Sequence, residues 1–253
     1  MQTKWKHAIV IGASSGIGEA LVYELARRGV SVALVARREE ELHRVAKAAV
    51  IVNIDNDRGR FPTFVHDVTN FSEVPELFQR IAGELGGLDL VIYNSGVMPH
   101  VAPDEYNFDK DKLVIDVNVL GAFAWLNEAA MRFKNVGGGN IVGISSIAGE
   151  RGRRGNPAYI TSKAALSTYL ESLRNRLSQY GVRVTTIKPG FVATEMIKGM
   201  PTPIAAISPA EAATQICNAA YKGSVVKYVP GKWRIVSMIL HLLPSFIFRR
   251  LNF

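Results

Sequence analysis

With a single cysteine, Cys217, the 253-residue chain cannot close an internal disulfide and has too few thiolates for a structural zinc site. No metal centre is expected, and Cys217 reads as a small core residue in a reducing, cytoplasmic setting. The N-terminal string MQTKWKHAIVIGASSG breaks on glycine too early to hold a signal-peptide core. In the C-terminal tail the longest apolar stretch, 235–248, is 14 residues with Pro244 inside it, short of the ~20 that span a bilayer. The chain also lacks internal repeats, low-complexity linkers and any long basic run or basic stripe interleaved with aromatics. Nucleic acid is therefore a poor fit for the excess of 30 Lys and Arg over 22 Asp and Glu. A small anionic ligand or an anionic membrane surface fits it better.

What the chain does have is alternation. HAIVIG, SVALVAR, FPTFVHD, LDLVIYN, NIVGISS, VRVTTIKPG and VVKYVP are apolar runs of strand length. Helical periodicity fills 17–28, 39–49 and 72–85, a long stretch before Asn135, and about 158–180. Uniformly apolar strands joined by crossover helices predict a doubly wound α/β fold, a parallel sheet covered on both faces. Residues 53–60 (NIDNDRGR) read as a polar surface loop. One domain through residue 230 is expected, with 231–253 as an apolar, basic tail.

The string IGASSGIG follows the first strand and opens a helix. Glycines at 12, 16 and 18 let a backbone turn tightly and approach a pyrophosphate, whose charge then meets free N–H groups at a helix N-terminus. Gly12, Ser14, Ser15, Gly16, Ile17 and Gly18 are the candidate cofactor turn. The second strand ends in Arg37 and Arg38 where an NAD site usually carries a carboxylate for the ribose 2′-OH. Arginine there can pair with the 2′-phosphate of NADP, so NADP(H) is favoured and NAD(H) is the alternative.

Tyr159 and Lys163 lie four residues apart in a segment of helical periodicity, on one face and one turn apart. An ammonium at that distance stabilises phenolate and should lower the tyrosine pKa, as a proton donor to a forming alkoxide requires. Asn118 by itself reads as a polar helix residue satisfying a local kink.

Taken in order, IGASSGIG, HDV, YNSG, DVNVLG, GISS, YITSK and KPGFVAT resemble the motif series of the short-chain dehydrogenase/reductase family, from His7 to Pro230. The resemblance implies hydride transfer between nicotinamide and a carbonyl or alcohol carbon, and a sheet in the order 3-2-1-4-5-6-7. It implies that Ser146, thirteen positions before Tyr159, bonds the substrate oxygen, in preference to Ser145. Tyr159 would transfer the proton, Lys163 would bond the nicotinamide ribose, and Asn118 would hold a relay water. Asp67 and Val68 would meet the adenine, Asn94, Ser95 and Gly96 the adjacent ribose, and Val192 and Thr194 the carboxamide, with Pro189 and Gly190 beside them. Two positions depart from the family pattern: Ile11 replaces a threonine that ties the turn to the central strand, and Tyr93-Asn94-Ser95-Gly96 replaces Asn-Asn-Ala-Gly. The family's habit of self-association implies a homodimer or homotetramer.

On the substrate side, Arg151, Arg153 and Arg154 cluster in AGERGRRGNPAY, where three guanidinium groups could clamp a phosphate or carboxylate or face solvent or another subunit. Lys198 and the Pro-rich stretch from Met200 to Pro209 fall where the family places a mobile lid. The tail sets Trp233, Phe246, Phe248 and Phe253 among Lys232, Arg234, Arg249 and Arg250. That composition suits a helix in a membrane interface, or a segment buried on another subunit or over the site's mouth. Loop and tail together resemble reductases of polyprenyl-phosphate-linked keto-sugars. The expected activity is reduction of a small-molecule ketone, anionic or lipid-borne. The alternatives are a 3-ketoacyl-thioester reductase and a non-catalytic NADP-binding regulator or scaffold, against which the intact Asn118, Ser146, Tyr159 and Lys163 set argues.

Overall fold

A strand whose residues are apolar on both faces must be sandwiched, and SVALVA is buried at every position. The computed structural model describes residues 5–53, 59–199, 202 and 204–250. Residues 54–58 of the polar loop, Met200, Pro201 and Pro203 of the lid stretch, and Phe253 lie outside the described residues. Seven strands pair in parallel: β1 (His7–Ile11), β2 (Ser31–Ala36), β3 (Thr63–Val65), β4 (Leu90–Tyr93), β5 (Gly139–Ile144), β6 (Val182–Pro189) and β7 (Val226–Val229). Their order is β3-β2-β1-β4-β5-β6-β7, as expected, with Ile9 in register between Ala33 and Val91.

Side-chain alternation splits the core into two layers. Ala8, Val10, Val32 and Leu34 face one way, against α1 (Gly16–Arg27), α2 (Glu39–Val52) and α7 (Pro209–Tyr221). Ile9, Ile11, Ala33 and Val35 face the other, against α3 (Val74–Leu85), α5 (Gly121–Val136) and α6 (Pro157–Leu177). Cys217 is 1% exposed in the first layer, a core residue as read.

Two helical features went unread in the sequence. Helix α7 is the crossover that a parallel β6–β7 pair demands. Its signal was present: Ser208 caps it by accepting from the Glu211 N–H at 3.1 Å, with Pro209 opening the first turn. The long helix before Asn135 is α4 (Phe108–Ile115) and α5 joined by a π-helical turn, Asp116–Leu120.

Beyond β7 the chain forms α8 (Trp233–Leu242) and the short α9 (Ser245–Phe248), which fold back onto the protein. The Trp233 indole packs against Gly190, where an added Cβ would stand 1.9 Å from its Nε1, and meets the Phe191 ring edge-on with centroids 5.4 Å apart.

Candidate active site

The carboxyl ends of β1, β2 and β4 open onto a cleft of about 300 Å³. At its floor the chain leaves β1 through Gly12, whose φ of +84° disfavours any side chain and where a Cβ would stand 2.7 Å from the Ser95 nitrogen. Gly18 is tighter still: a Cβ there would lie 1.9 Å from the Gly12 carbonyl oxygen, so the turn and the first coil of α1 close only on glycine. Ile11 is fully buried, and the threonine it replaces is not missed. Asn94 ties the turn to β4 instead, its backbone N–H donating to Ile11 O at 2.9 Å and its Nδ2 to Gly12 O at 3.0 Å.

Around this turn the cleft is lined by Ser14, Ser15, Gly16, Ile17, Arg37, Arg38, Asp67, Val68, Asn94, Ser95, Gly96 and Thr194, all singled out in the sequence. Arg38 Nη2 donates to Ser14 Oγ at 2.9 Å and Ser15 Oγ at 2.7 Å, so one guanidinium braces both serines. Arg37 is 60% exposed at its side chain and pairs at 3.5 Å with Asp67. Burial alone would raise the Asp67 carboxyl, but the Thr69 N–H and hydroxyl and the Arg37 charge outweigh it and hold it below its usual range.

Six expected contacts do not line the cleft: Gly18 is spent on the turn, Val192 is 3% exposed, Gly190 is covered by Trp233, Pro189 is buried as the last residue of β6, and Tyr159 and Lys163 stand on α6. His66, Val97, Val117, Glu195 and Met196 line it and were missed. His66 follows β3 directly in HDV, and its position beside Asp67 was the available signal.

The second group of side chains gathers at the ends of β4 and β5. The π turn swings Asn118 inward to complete burial, where its Oδ1 accepts from Val97 N–H at 2.8 Å. Its Nδ2 donates to Val97 O and to Ser162 Oγ, each at 3.0 Å. Tyr93, the unusual residue of YNSG, donates its hydroxyl to Val117 O inside that turn at 2.6 Å. Asn118 therefore both satisfies a kink and staples α6 to the loop after β4. Both its donors and one acceptor position are spent on protein, leaving one lone pair for the expected relay water.

Ser145 and Ser146 part company. Ser145 bonds Lys163 O and Ser167 Oγ, each at 2.8 Å, on the α6 side. Ser146 caps a short turn, accepting from Ala148 N–H at 3.0 Å, and hydrogen-bonds Tyr159. Lys163 Nζ donates to Ile144 O at 3.0 Å and stands 5.6 Å from the centre of the Tyr159 ring. Gly96 faces the same spot: a Cβ there would be 3.3 Å from Lys163 Nζ and 3.4 Å from Asn118 Oδ1.

The electrostatics correct one expectation. Lys163 does not set a low Tyr159 pKa; burial dominates and raises the phenol, while the Ser146 hydrogen bond and the Arg153 charge pull it down. Lys163 is itself buried and pushed down to about 8, still mostly protonated at neutral pH. Arg153 is a further cation that favours the phenolate. The three loop arginines thus divide. Arg151 donates to Leu240 O at 2.6 Å, to Leu243 O and to Ser245 Oγ, and stacks 4.0 Å over Phe248. Arg154 donates to Arg249 O at 2.9 Å. Both are committed to the tail, and only Arg153 is left beside the tyrosine.

A doubly wound sheet with a glycine turn under one cleft and a serine–tyrosine–lysine group beside it defines a dinucleotide-dependent class of protein. The short chain dehydrogenase family model matches residues 6–203. The chain is 39% identical over 195 residues to an uncharacterized oxidoreductase of Myxococcus xanthus, covering 77% of this chain and 75% of that one. It is 36% identical over 191 residues to another of Staphylococcus saprophyticus, covering 76% and 80%. Among solved structures, a short-chain type dehydrogenase/reductase from Mycobacterium ulcerans superposes with a TM-score of 0.82 at 24% identity, covering 100% of both chains. ElxO with NADP bound superposes with a TM-score of 0.81 at 21% identity, covering 91% of this chain and 99% of that one. The chain belongs to the short-chain dehydrogenase/reductase family and is an oxidoreductase of that family.

Proposed function

We propose that the protein is an NADPH-dependent carbonyl reductase whose proton donor is Tyr159. The observation that carries this is the convergence of Ser146, Tyr159, Lys163 and Asn118 at the ends of β4 and β5, next to the glycine turn. The cleft fits the dinucleotide. Ser15 opens α1 with no side-chain cap, so the first N–H groups of the helix are free for a pyrophosphate. Gly12 and Gly18 keep the backbone close, and Arg37 and Arg38 supply cations where the 2′-phosphate would lie. Val68 and Asp67 form the adenine end, Asn94 to Gly96 the ribose wall, and Thr194 the nicotinamide end.

When bound, NADPH supplies the hydride. The protein's own residues do the rest. Ser146 donates to the substrate oxygen and fixes the carbonyl near the phenol. Tyr159 gives its proton to that oxygen as negative charge develops, and the raised phenol keeps the proton on hand at neutral pH. Arg153 stabilises the phenolate left behind, with Lys163 contributing while protonated. Asn118 holds α6, and with it Tyr159 and Lys163, against the loop after β4.

The substrate is a ketone bearing a phosphate or carboxylate. Arg153 has no hydrogen bond or ion pair among the described residues, so its charge is available to an anionic group near the carbonyl. The test is NADPH absorbance over paired neutral and anionic ketones. Consumption is expected in the wild type, fastest with anionic members, and lost in Tyr159→Phe with NADPH binding kept. A wild type that binds NADPH but turns over nothing faster than Tyr159→Phe would point to a non-catalytic NADP-binding protein.

A further inference from the structure

The tail's two faces have opposite chemistry. Inward, Trp233, Ser237 and Phe248 are buried against the protein. Outward, Ile235, Met238, Ile239 and Leu242 recur at offsets of 3, 4 and 7, one stripe of α8, and α9 extends it through Phe246 and Ile247. The exposures are 65%, 57%, 54% and 79% along α8 and 56% for Phe246, so the stripe is a contiguous apolar ridge of large side chains. The tail's own charges are all of one sign. From Gly231 to Phe253 the sequence holds no Asp or Glu, while Lys232, Arg234, Arg249 and Arg250 are all cations.

We infer that the outer face of α8 and α9 docks on an anionic lipid membrane and sets the catalytic end of the sheet against the lipid interface. Three observations bear on the choice of occupant. A second copy of this chain would set the cationic rim against an identical cationic rim, which like-charge repulsion disfavours. An anionic headgroup layer complements it, each cation near such a surface strengthening binding about five-fold. The apolar ridge is 10 residues of α8 plus one turn of α9, enough to lie in the interface and too short to cross it.

The orientation follows from how the tail is held. It leaves the carboxyl end of β7, the same edge of the sheet that carries the site. Arg151 fastens α8 and α9 to the loop that also carries Arg153, and Glu150 of the same loop bonds Lys188 at 2.6 Å and lies 3.5 Å from His241 of α8. The membrane-facing ridge and the residue beside the reacting phenol are thus parts of one braced unit. Docking itself needs no assumption about the reaction; only a lipid-borne ketone as substrate rests on the reductase reading.

Co-sedimentation of the full chain with vesicles tests it. We expect binding to vesicles of phosphatidylcholine with phosphatidylglycerol, at least about ten-fold weaker binding to phosphatidylcholine alone, and weakening with added salt. Ile239→Asp with Leu242→Asp should weaken binding more than about ten-fold, while thermal stability and NADPH affinity stay at wild-type values. Arg249→Gln with Arg250→Gln, which leaves the apolar ridge intact, should weaken it on anionic vesicles alone. No binding of the wild type to anionic vesicles would overturn the inference, as would full binding by the Asp variant. A wild-type oligomer that the Asp variant splits into monomers would assign the ridge to a second copy instead. Vesicle binding is read without turnover, so it stands or falls separately from the catalytic proposal.

Discussion

The glycine-turn side and the tyrosine side of the site are built on different terms. Around the turn, residues are fixed by backbone geometry: Gly12 and Gly18 leave no space for a Cβ, and Asn94 is tied to the turn by both its main chain and its amide. On the tyrosine side, the arginines of the 151–154 loop are assigned by their partners, two by carbonyls of the tail and one by the phenol. The first kind of constraint tolerates no alternative residue. The second reuses a single residue type for three tasks, so it can be retuned by changing what lies opposite.

The strongest way to test the division is at its junction. Tyr159→Phe should lower kcat about 10²–10⁴-fold, the usual share of a positioned general acid, with NADPH titration by fluorescence unchanged. A drop in both quantities together would mean that the phenol serves cofactor binding as much as proton transfer. Next in size, Arg37→Ala should weaken NADPH about 10-fold or more through loss of a charge-assisted bond and leave NADH nearly unaffected. Its surface pairing with Asp67 contributes about 0–1 kcal/mol, so the fold should not notice. Equal losses for both dinucleotides would remove the 2′-phosphate contact.

Arg151→Ala strips several donors from the carbonyl end of α8 and should cost about 1–3 kcal/mol, seen as a melting temperature a few degrees lower. Dinucleotide affinity should be unaltered, because the turn is braced elsewhere. The smallest effect is a pH slope. Lys163 falls to about 8 in the folded protein from its ordinary 10.5, so between those values the unfolded chain binds more protons. Stability should therefore rise with pH across that window, and Lys163→Met should flatten the rise in denaturant titrations. A slope of the opposite sign would mean that the ammonium is better solvated than its burial implies.

Much of this could be read from residue order. Apolar strands alternating with amphipathic helices carried the parallel sheet, the resemblance of the motif series carried its order, and the IGASSGIG string marked the turn under the cleft. Helix α7 shows itself only in the Ser208–Glu211 capping pair, because its buried face is mostly alanine and gives a weak periodic pattern. The direction of the Tyr159 shift is not legible because helical spacing shows which residues share a face, and not how deeply each is buried. Burial raises the phenol by more than the Ser146 hydrogen bond and the Arg153 charge lower it, and Arg153 comes from a loop with no fixed spacing to the phenol. The tail's attachment by Arg151 depends on contacts far apart in sequence, 89 residues in the case of Leu240, which no local pattern reports.

The wide turn at Asp116–Leu120 has a consequence for how this helix can evolve. A regular helix advances about 100° per residue, and a turn closed by i→i+5 bonds advances less per residue, so it fits one more residue into the same sweep. The pattern of inward-facing positions therefore slips by one across it, with Asn118 turned to Val97 and Ser162 inside the turn and Trp125, Leu126, Ala129 and Phe133 facing the sheet beyond it. The extra residue acts as a phase shifter in the sequence pattern. Deleting one residue of the turn should leave α5 packed on the sheet and cost the Asn118 hydrogen bonds, whereas deleting one within α5 should carry its apolar face toward solvent.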